Sequence, residues 1–145
     1  MPIKEFTDID GKKRVFNFEP CWVPTMFMYE AVEIQDDEPK GMRFSVLGDE
    51  TEANILRYKL EERVRMALRV KHIEYHKESD TWIARNHIIR GQIKWDEATE
   101  GQTPLIVVDG KELKWEEFGK TMMTHEGFQF VLKFVDPSDD MYEIA

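Results

Sequence analysis

Residues 104–136 constrain the fold of this chain more than any other segment, because several strong local patterns follow one another there. Residues 105–108, LIVV, form a short apolar run that is typical of a buried strand. Asp109-Gly110 comes directly after it and is a strong signal for a two-residue hairpin turn. The segment therefore predicts a strand that turns back on itself, followed by further regular structure.

A short helix and a long strand are predicted next. Apolar residues at i, i+3 and i+7 indicate a helix over about residues 114–124. Large apolar residues at every second position then indicate a strand with one buried face. The predicted structural core is Trp115, Phe118, Met122, Phe128, Phe130, Leu132 and Phe134. If this core is correct, Phe130→Ala should unfold or strongly destabilise the protein.

The rest of the chain predicts hairpins around one long helix. Residues 3–18 and 26–47 each contain two strand-like runs joined by a polar turn. A helix that packs on a sheet is predicted over about residues 50–75, because apolar residues recur there at spacings of three and four: Leu56, Leu60, Val64, Ala67 and Leu68. Two strands rich in Trp and Ile are expected over residues 81–85 and 87–96, where Gly91 indicates a bulge or a close backbone approach.

These elements define an α+β fold. We expect a single domain over residues 1–136, with a largely antiparallel sheet, one long helix (about 50–75) and one short helix (about 114–124). A chain of 145 residues is long enough to bury one core. Residues 137–145 are acidic and are expected to form a loose tail.

Composition indicates a cytoplasmic protein. Cys21 is the single cysteine, so the chain has no internal disulfide. The N-terminal residues carry charges from position 4 onward and lack the apolar centre of a secretory signal. No run reaches the roughly 18 apolar residues of a membrane helix, so no membrane contact is expected.

Four short motifs carry a resemblance to a known family. They are RGQIKWD (90–96), VDGKE (108–112), WEEFG (115–119) and EGFQF (126–130), and they lie in about the last third of the chain. In these motifs the chain resembles small uncharacterised prokaryotic proteins of a domain-of-unknown-function family. The resemblance implies a shared fold and assigns no activity and no catalytic residue.

Charge is distributed unevenly along the chain. The net charge is −9, but residues 57–94 carry 10 Lys/Arg against 5 Asp/Glu, whereas both flanking regions are acidic. The simpler interpretation is a basic element that forms surface ion pairs with acidic neighbours. The alternative is a basic surface that meets an anionic partner.

His72 and His76 are candidate metal ligands. A spacing of four places both imidazoles on one side of a helix, and His87, Glu74 or Asp80 would have to complete the site. The motif lacks the glutamate of a zinc-protease helix. Exposed histidines near a helix C-terminus are also common without metal, so no cofactor is expected.

The same residues suggest a surface for an anion or a partner. Arg65, Arg69, His72 and His76 have helical spacing, so they would line one helical face and could contact phosphates. Glutamates interrupt this face and the chain as a whole is acidic, which argues against nucleic-acid binding.

No catalytic motif is present. Cys21 lies between two prolines and has no neighbouring base, and the carboxylate pairs fall in predicted turns, exposed helix or tail. The expected function is a non-enzymatic protein-interaction module that inhibits or scaffolds a basic partner and self-associates as a homodimer. A metal-dependent or acid/base enzyme using His72 and His76, and nucleic-acid binding through the basic helix, are the alternatives.

Overall fold

A computed structural model describes residues 2–143 and confirms the α+β class with antiparallel sheets. The chain forms two compact units. The first contains the residues up to Val70 together with those from Val135 onward, and the second is Lys71–Phe134. The sequence patterns predicted one domain over residues 1–136 and did not indicate the division near residue 70.

The first unit is built on a four-stranded antiparallel sheet whose strands pair in chain order. The link between the last two strands is a two-residue turn in which Asp36 and Asp37 both have positive φ, at 54° and 63°. Such a turn matches the twist of a hairpin. The strands are β1 (Ile3–Thr7), β2 (Lys13–Val23), β3 (Met26–Gln35) and β4 (Glu38–Gly48).

The long helix packs against this sheet. A 3₁₀ turn at Glu50–Glu52 leads into α1, Ala53–Leu68, and the Asp49 side chain accepts the backbone N–H of Thr51 at 3.0 Å. The apolar stripe predicted from the sequence is buried: Leu56, Leu60, Val64, Ala67 and Leu68. The helix ends seven residues before the predicted position, where the Leu68 carbonyl accepts the Ile9 backbone N–H.

The second unit contains two small antiparallel sheets and a short helix. β5 (Ile73–His76) pairs with β6 (Thr81–Ala84), and β7 (Gln92–Trp95), β8 (Pro104–Val108) and β9 (Lys111–Lys114) pair in chain order. The helix α2 covers Trp115–Met123. The fully buried centre is Ile73, Val108 and Leu113, with Trp82, Ile89, Ile106 and Phe118 packed around it.

The Asp109-Gly110 turn forms as the sequence predicts. Both residues have positive φ, 54° and 81°, as a tight hairpin turn requires. Gly91 makes the expected close approach, because a Cβ atom there would lie 2.6 Å from the Val107 carbonyl oxygen. The strand that follows Gly91 is shorter than the predicted 87–96.

The predicted Phe-rich strand is the main difference between expectation and structure. Residues 128–134 belong to no strand of the described chain, and Phe128, Phe130, Leu132 and Phe134 are exposed. Trp115 and Met122 are also about half exposed. Of the seven predicted core residues, Phe118 packs against the core. Alternation of apolar and polar residues shows that one face of a strand is apolar, but it does not show what would cover that face.

The described part of the predicted loose tail makes contacts within the first unit. The Ser45 hydroxyl donates to the Pro137 carbonyl at 3.3 Å, and the Tyr142 side chain packs against the core beneath the four-stranded sheet. No described helix is long and apolar enough to cross a membrane.

Candidate protein-interaction site

The most unusual surface of the second unit is an exposed apolar segment, residues 127–134 (GFQFVLKF), which we call the apolar segment. Phe130 is 76% exposed and Val131 is 97% exposed. Connecting segments are normally polar, and contiguous exposed apolar surface on a soluble protein usually marks an interaction site. The apolar segment therefore has the composition of a buried strand, although its side chains are exposed.

The segment is well placed to act as a strand. Phe128, Phe130, Leu132 and Phe134 share one face of an extended chain, because side chains alternate along a strand. Gln129, Val131 and Lys133 would then fall on the opposite face. An extended segment of this kind can add to the edge of a sheet through backbone hydrogen bonds, with its apolar side chains covering the sheet face.

β7 offers a matching edge in the same unit. It is the outer strand of the three-stranded sheet, and Ile93 is 66% exposed on it. Ile93 lies opposite Ile106 on β8, and Ile106 lies opposite Leu113 on β9, so the three residues form one row across the sheet. The row runs from the buried core outward and ends at an exposed isoleucine. A further strand beside β7 would continue it.

The structure does not place His72 and His76 on a helix. His72 follows the end of α1 and is buried, and its Nδ1 lies 3.1 Å from Asp109 Oδ1. His76 is the last residue of β5 and is exposed, with its Nδ1 3.0 Å from the Ser79 hydroxyl. Among residues 2–143, no group of three or more His, Cys, Asp or Glu side chains is arranged to hold a metal ion.

Asp109 organises the turn region around His72. Its carboxylate accepts the backbone N–H groups of His72 at 2.8 Å and of Ile73 at 3.0 Å, in addition to its contact with the imidazole. Burial alone would raise the pKa of Asp109, but the hydrogen bonds from His72 and Ile73 outweigh it and lower the pKa below its ordinary value. The position of His72 is explained by this structural contact.

The four residues of the predicted basic face do not all lie on one helix. Arg65 is in α1 and pairs with Glu62 at 2.6 Å and with Glu61 at 3.4 Å, whereas Arg69 lies at the end of the helix. Since α1 stops at Leu68, His72 and His76 do not continue the helical face. Arg65 therefore forms its ion pairs with glutamates of its own helix.

A buried charge network in the first unit was not predicted from the sequence. Arg14 donates to Glu33 through Nε at 2.6 Å and Nη2 at 3.0 Å, and to Asp8 through Nη1 at 3.1 Å. Burial would lower the pKa of Arg14, but the hydrogen bonds and charges of Glu33 and Asp8 raise it above its ordinary value. Neither carboxylate is more than 1% exposed, so the network is structural.

Cys21 and the carboxylate pairs also have structural positions. Cys21 is a half-buried residue of β2 opposite Met28. Asp36 and Asp37 form the β3–β4 turn, and Glu117 accepts the Lys114 backbone N–H at the start of α2. Their described contacts are those of packing, turn and helix-capping residues.

Comparison with family models divides the chain at the same place as the structure. Residues 2–69 match a domain of unknown function, DUF7686, and residues 72–139 match another, DUF7713. No curated protein and no solved structure matches the chain. The resemblance to a domain-of-unknown-function family is thereby confirmed, and the N-terminal half matches a second such domain, which the four motifs did not indicate. The prokaryotic origin stays a prediction.

Proposed function

We propose that this chain, which joins two domains of unknown function, is a non-enzymatic cytoplasmic interaction module that forms a homodimer through the apolar segment. In the dimer, the segment of each copy adds as a strand to β7 of the other copy. The observation that supports the proposal is the exposure of Phe128, Phe130, Leu132 and Phe134 in a segment that belongs to no strand of the described chain.

A second copy is the partner that the second unit fits best. The row of Ile93, Ile106 and Leu113 provides the apolar continuation that the segment needs, and every copy carries both the segment and the row. Reciprocal exchange therefore forms two identical contacts around a twofold axis, which is the commonest symmetry of oligomers.

Charge favours self-association through this unit. Residues 71–134 contain 9 Lys/Arg and 11 Asp/Glu, a net charge of −2, whereas the remaining residues contain 11 and 18, a net charge of −7. Repulsion between two copies is therefore weaker at the second unit. The acidity of the first unit supports a basic protein as the additional partner that the module inhibits or scaffolds.

The available area is sufficient for a stable dimer. An aromatic side chain can bury about 150–250 Å², so the exposed parts of the three segment phenylalanines in two copies supply roughly 600–1,000 Å². The surfaces that they cover on β7 and its neighbours add a similar amount. The total falls within the range of specific interfaces, about 1,200–2,000 Å².

Phe130→Asp should convert the dimer into a monomer, because a charge would have to be buried at the centre of the new strand. The measurement is molar mass by light scattering over a wide range of protein concentrations. Tyr58→Asp is the matched control, since Tyr58 is an exposed aromatic residue on α1 and should leave the mass unchanged. A wild-type chain that stays monomeric at the highest concentration contradicts the proposal.

Complementation tests the acceptor strand. Ile93→Asp should also give a monomer, because it places a charge on the exposed end of the row. A mixture of the Phe130→Asp and Ile93→Asp variants should recover a weaker heterodimer, since the intact segment of one copy can add to the intact β7 of the other. Loss of stability in Phe130→Asp without any change in mass would instead place the segment in the core of its own chain.

A further inference from the structure

Two histidines that are 38 residues apart meet beside the apolar segment. His87 lies in the loop between β6 and β7, and His125 follows the end of α2. His87 Nδ1 is 3.3 Å from His125 Nε2, and the two rings are nearly perpendicular. Phe128 stacks on His87 and meets the edge of His125. The pair is thus formed by tertiary structure and held by a third ring.

The separation of the two nitrogens suits a shared metal ion. Zinc binds imidazole nitrogen at about 2.0–2.1 Å with tetrahedral geometry, which puts neighbouring ligand nitrogens about 3.3–3.4 Å apart. The nitrogens of His87 and His125 already have this spacing. The distance between the two nitrogens therefore matches that between neighbouring ligands of one zinc ion.

Thr124 selects the tautomer of His125 that a metal requires. Its hydroxyl donates to the Thr121 carbonyl at 2.7 Å, so its oxygen faces His125 Nδ1, at 3.1 Å, as an acceptor. The proton of His125 is then held on Nδ1, and Nε2 presents a lone pair toward His87. On the other ring, the Nδ1 proton moves to Nε2 when a metal binds, so the charge of the two imidazoles does not change.

The local field also favours a cation. His125 comes two residues after the last residue of α2, and the C-terminal end of a helix carries a partial negative charge. Imidazole ligands suit Zn²⁺, Ni²⁺ and Cu²⁺ rather than Mg²⁺ or Ca²⁺.

We propose that His87 and His125 form a binding site for a divalent transition metal of the zinc type. The protein supplies two ligands, and water or an incoming ligand occupies the remaining positions. The site is distinct from the predicted pair His72 and His76, which the structure separates into a buried contact with Asp109 and an exposed strand end.

Titration calorimetry with Zn²⁺ alone is the direct test. Wild-type protein should bind one ion per chain, and both His87→Ala and His125→Ala should weaken binding at least tenfold. The chain contains four histidines, so His76→Ala is a matched control that removes another exposed imidazole and should leave affinity unchanged. Equal weakening by His76→Ala, or no loss in either site variant, overturns the proposal.

One further variant and one spectroscopic measurement separate a metal site from a simple contact between rings. Thr124→Val should lower zinc affinity about tenfold, because supporting hydrogen bonds of this kind affect affinity by roughly 10–100-fold. Imidazole nitrogen NMR should show both His87 Nδ1 and His125 Nε2 shifting on zinc addition. Unshifted signals overturn the site. Phe130→Asp should keep normal zinc binding, so the failure of the dimer and the failure of the metal site are distinguishable.

Discussion

Glu33→Ala should destabilise the first unit by about 3–5 kcal/mol, the usual cost of removing one partner from a buried ion pair. Arg14 is 5% exposed and donates two hydrogen bonds to Glu33. Glu33 also accepts the backbone N–H of Met42 at 3.0 Å, so the variant leaves both a guanidinium and a backbone donor unsatisfied on that side. The ion pair between Arg14 and Asp8, at 3.1 Å, would remain.

The measurement is the free energy of unfolding by urea, followed by circular dichroism. Glu5→Ala is the matched control, since Glu5 forms an exposed pair with Lys13 and its loss should cost no more than about 1 kcal/mol. A loss below about 1 kcal/mol for Glu33→Ala would mean that water reaches Arg14 and that the network is not buried in solution.

Asp109→Asn should destabilise the second unit by about 1.5–3 kcal/mol, the range for hydrogen bonds that involve a charged group. Asparagine keeps the size of the side chain and tolerates the positive φ of the turn. It has one carbonyl oxygen where the carboxylate uses two, so it can accept the two backbone N–H groups or meet the His72 imidazole with that oxygen, but not both.

The stabilisation by Asp109 should depend on pH with a definite sign. Because its pKa in the folded protein is lowered from the ordinary value of 3.8, its contribution is complete above about pH 4 and is lost as the pH falls through the lower folded value. The difference in melting temperature between wild type and Asp109→Asn should therefore be large at neutral pH and should shrink in strong acid.

Tryptophan fluorescence follows this difference, since Trp82, Trp95 and Trp115 all belong to the second unit. Asp36→Asn is the matched control. It is the same substitution at a positive φ in a two-residue turn, but Asp36 is exposed. If the difference in melting temperature between wild type and Asp109→Asn did not depend on pH, the turn geometry, and not the carboxylate charge, would account for the loss of stability.

Local patterns predicted much of the architecture. The apolar stripe of α1 and the Asp109-Gly110 turn are correct because both depend on residues within a few positions of each other. The hairpins of the first unit form for the same reason. The end of α1 was missed because residues 69–72 carry no helix breaker, and the strand β5 that follows is defined by its pairing with β6.

The candidate sites depended more strongly on tertiary structure. The sequence identified the Phe-rich segment but assigned it to the core, because alternation shows only that one face is apolar. His125 was not singled out, since no sequence pattern links it to His87 across 38 residues. Likewise, nothing near Arg14 in the sequence indicates that Glu33 would accept its charge.

The sequence by itself determined the α+β class, the position of the turns and the buried face of α1, because short-range sterics and hydrophobic periodicity fix them. Only the tertiary structure decided which charged groups are buried together, which histidines meet and whether the large side chains of residues 127–134 are buried or exposed. These depend on contacts between residues far apart in the chain, and burial is a property of the assembled elements. The same four-residue row of Phe128, Phe130, Leu132 and Phe134 is a core strand or an interaction surface according to what lies beside it.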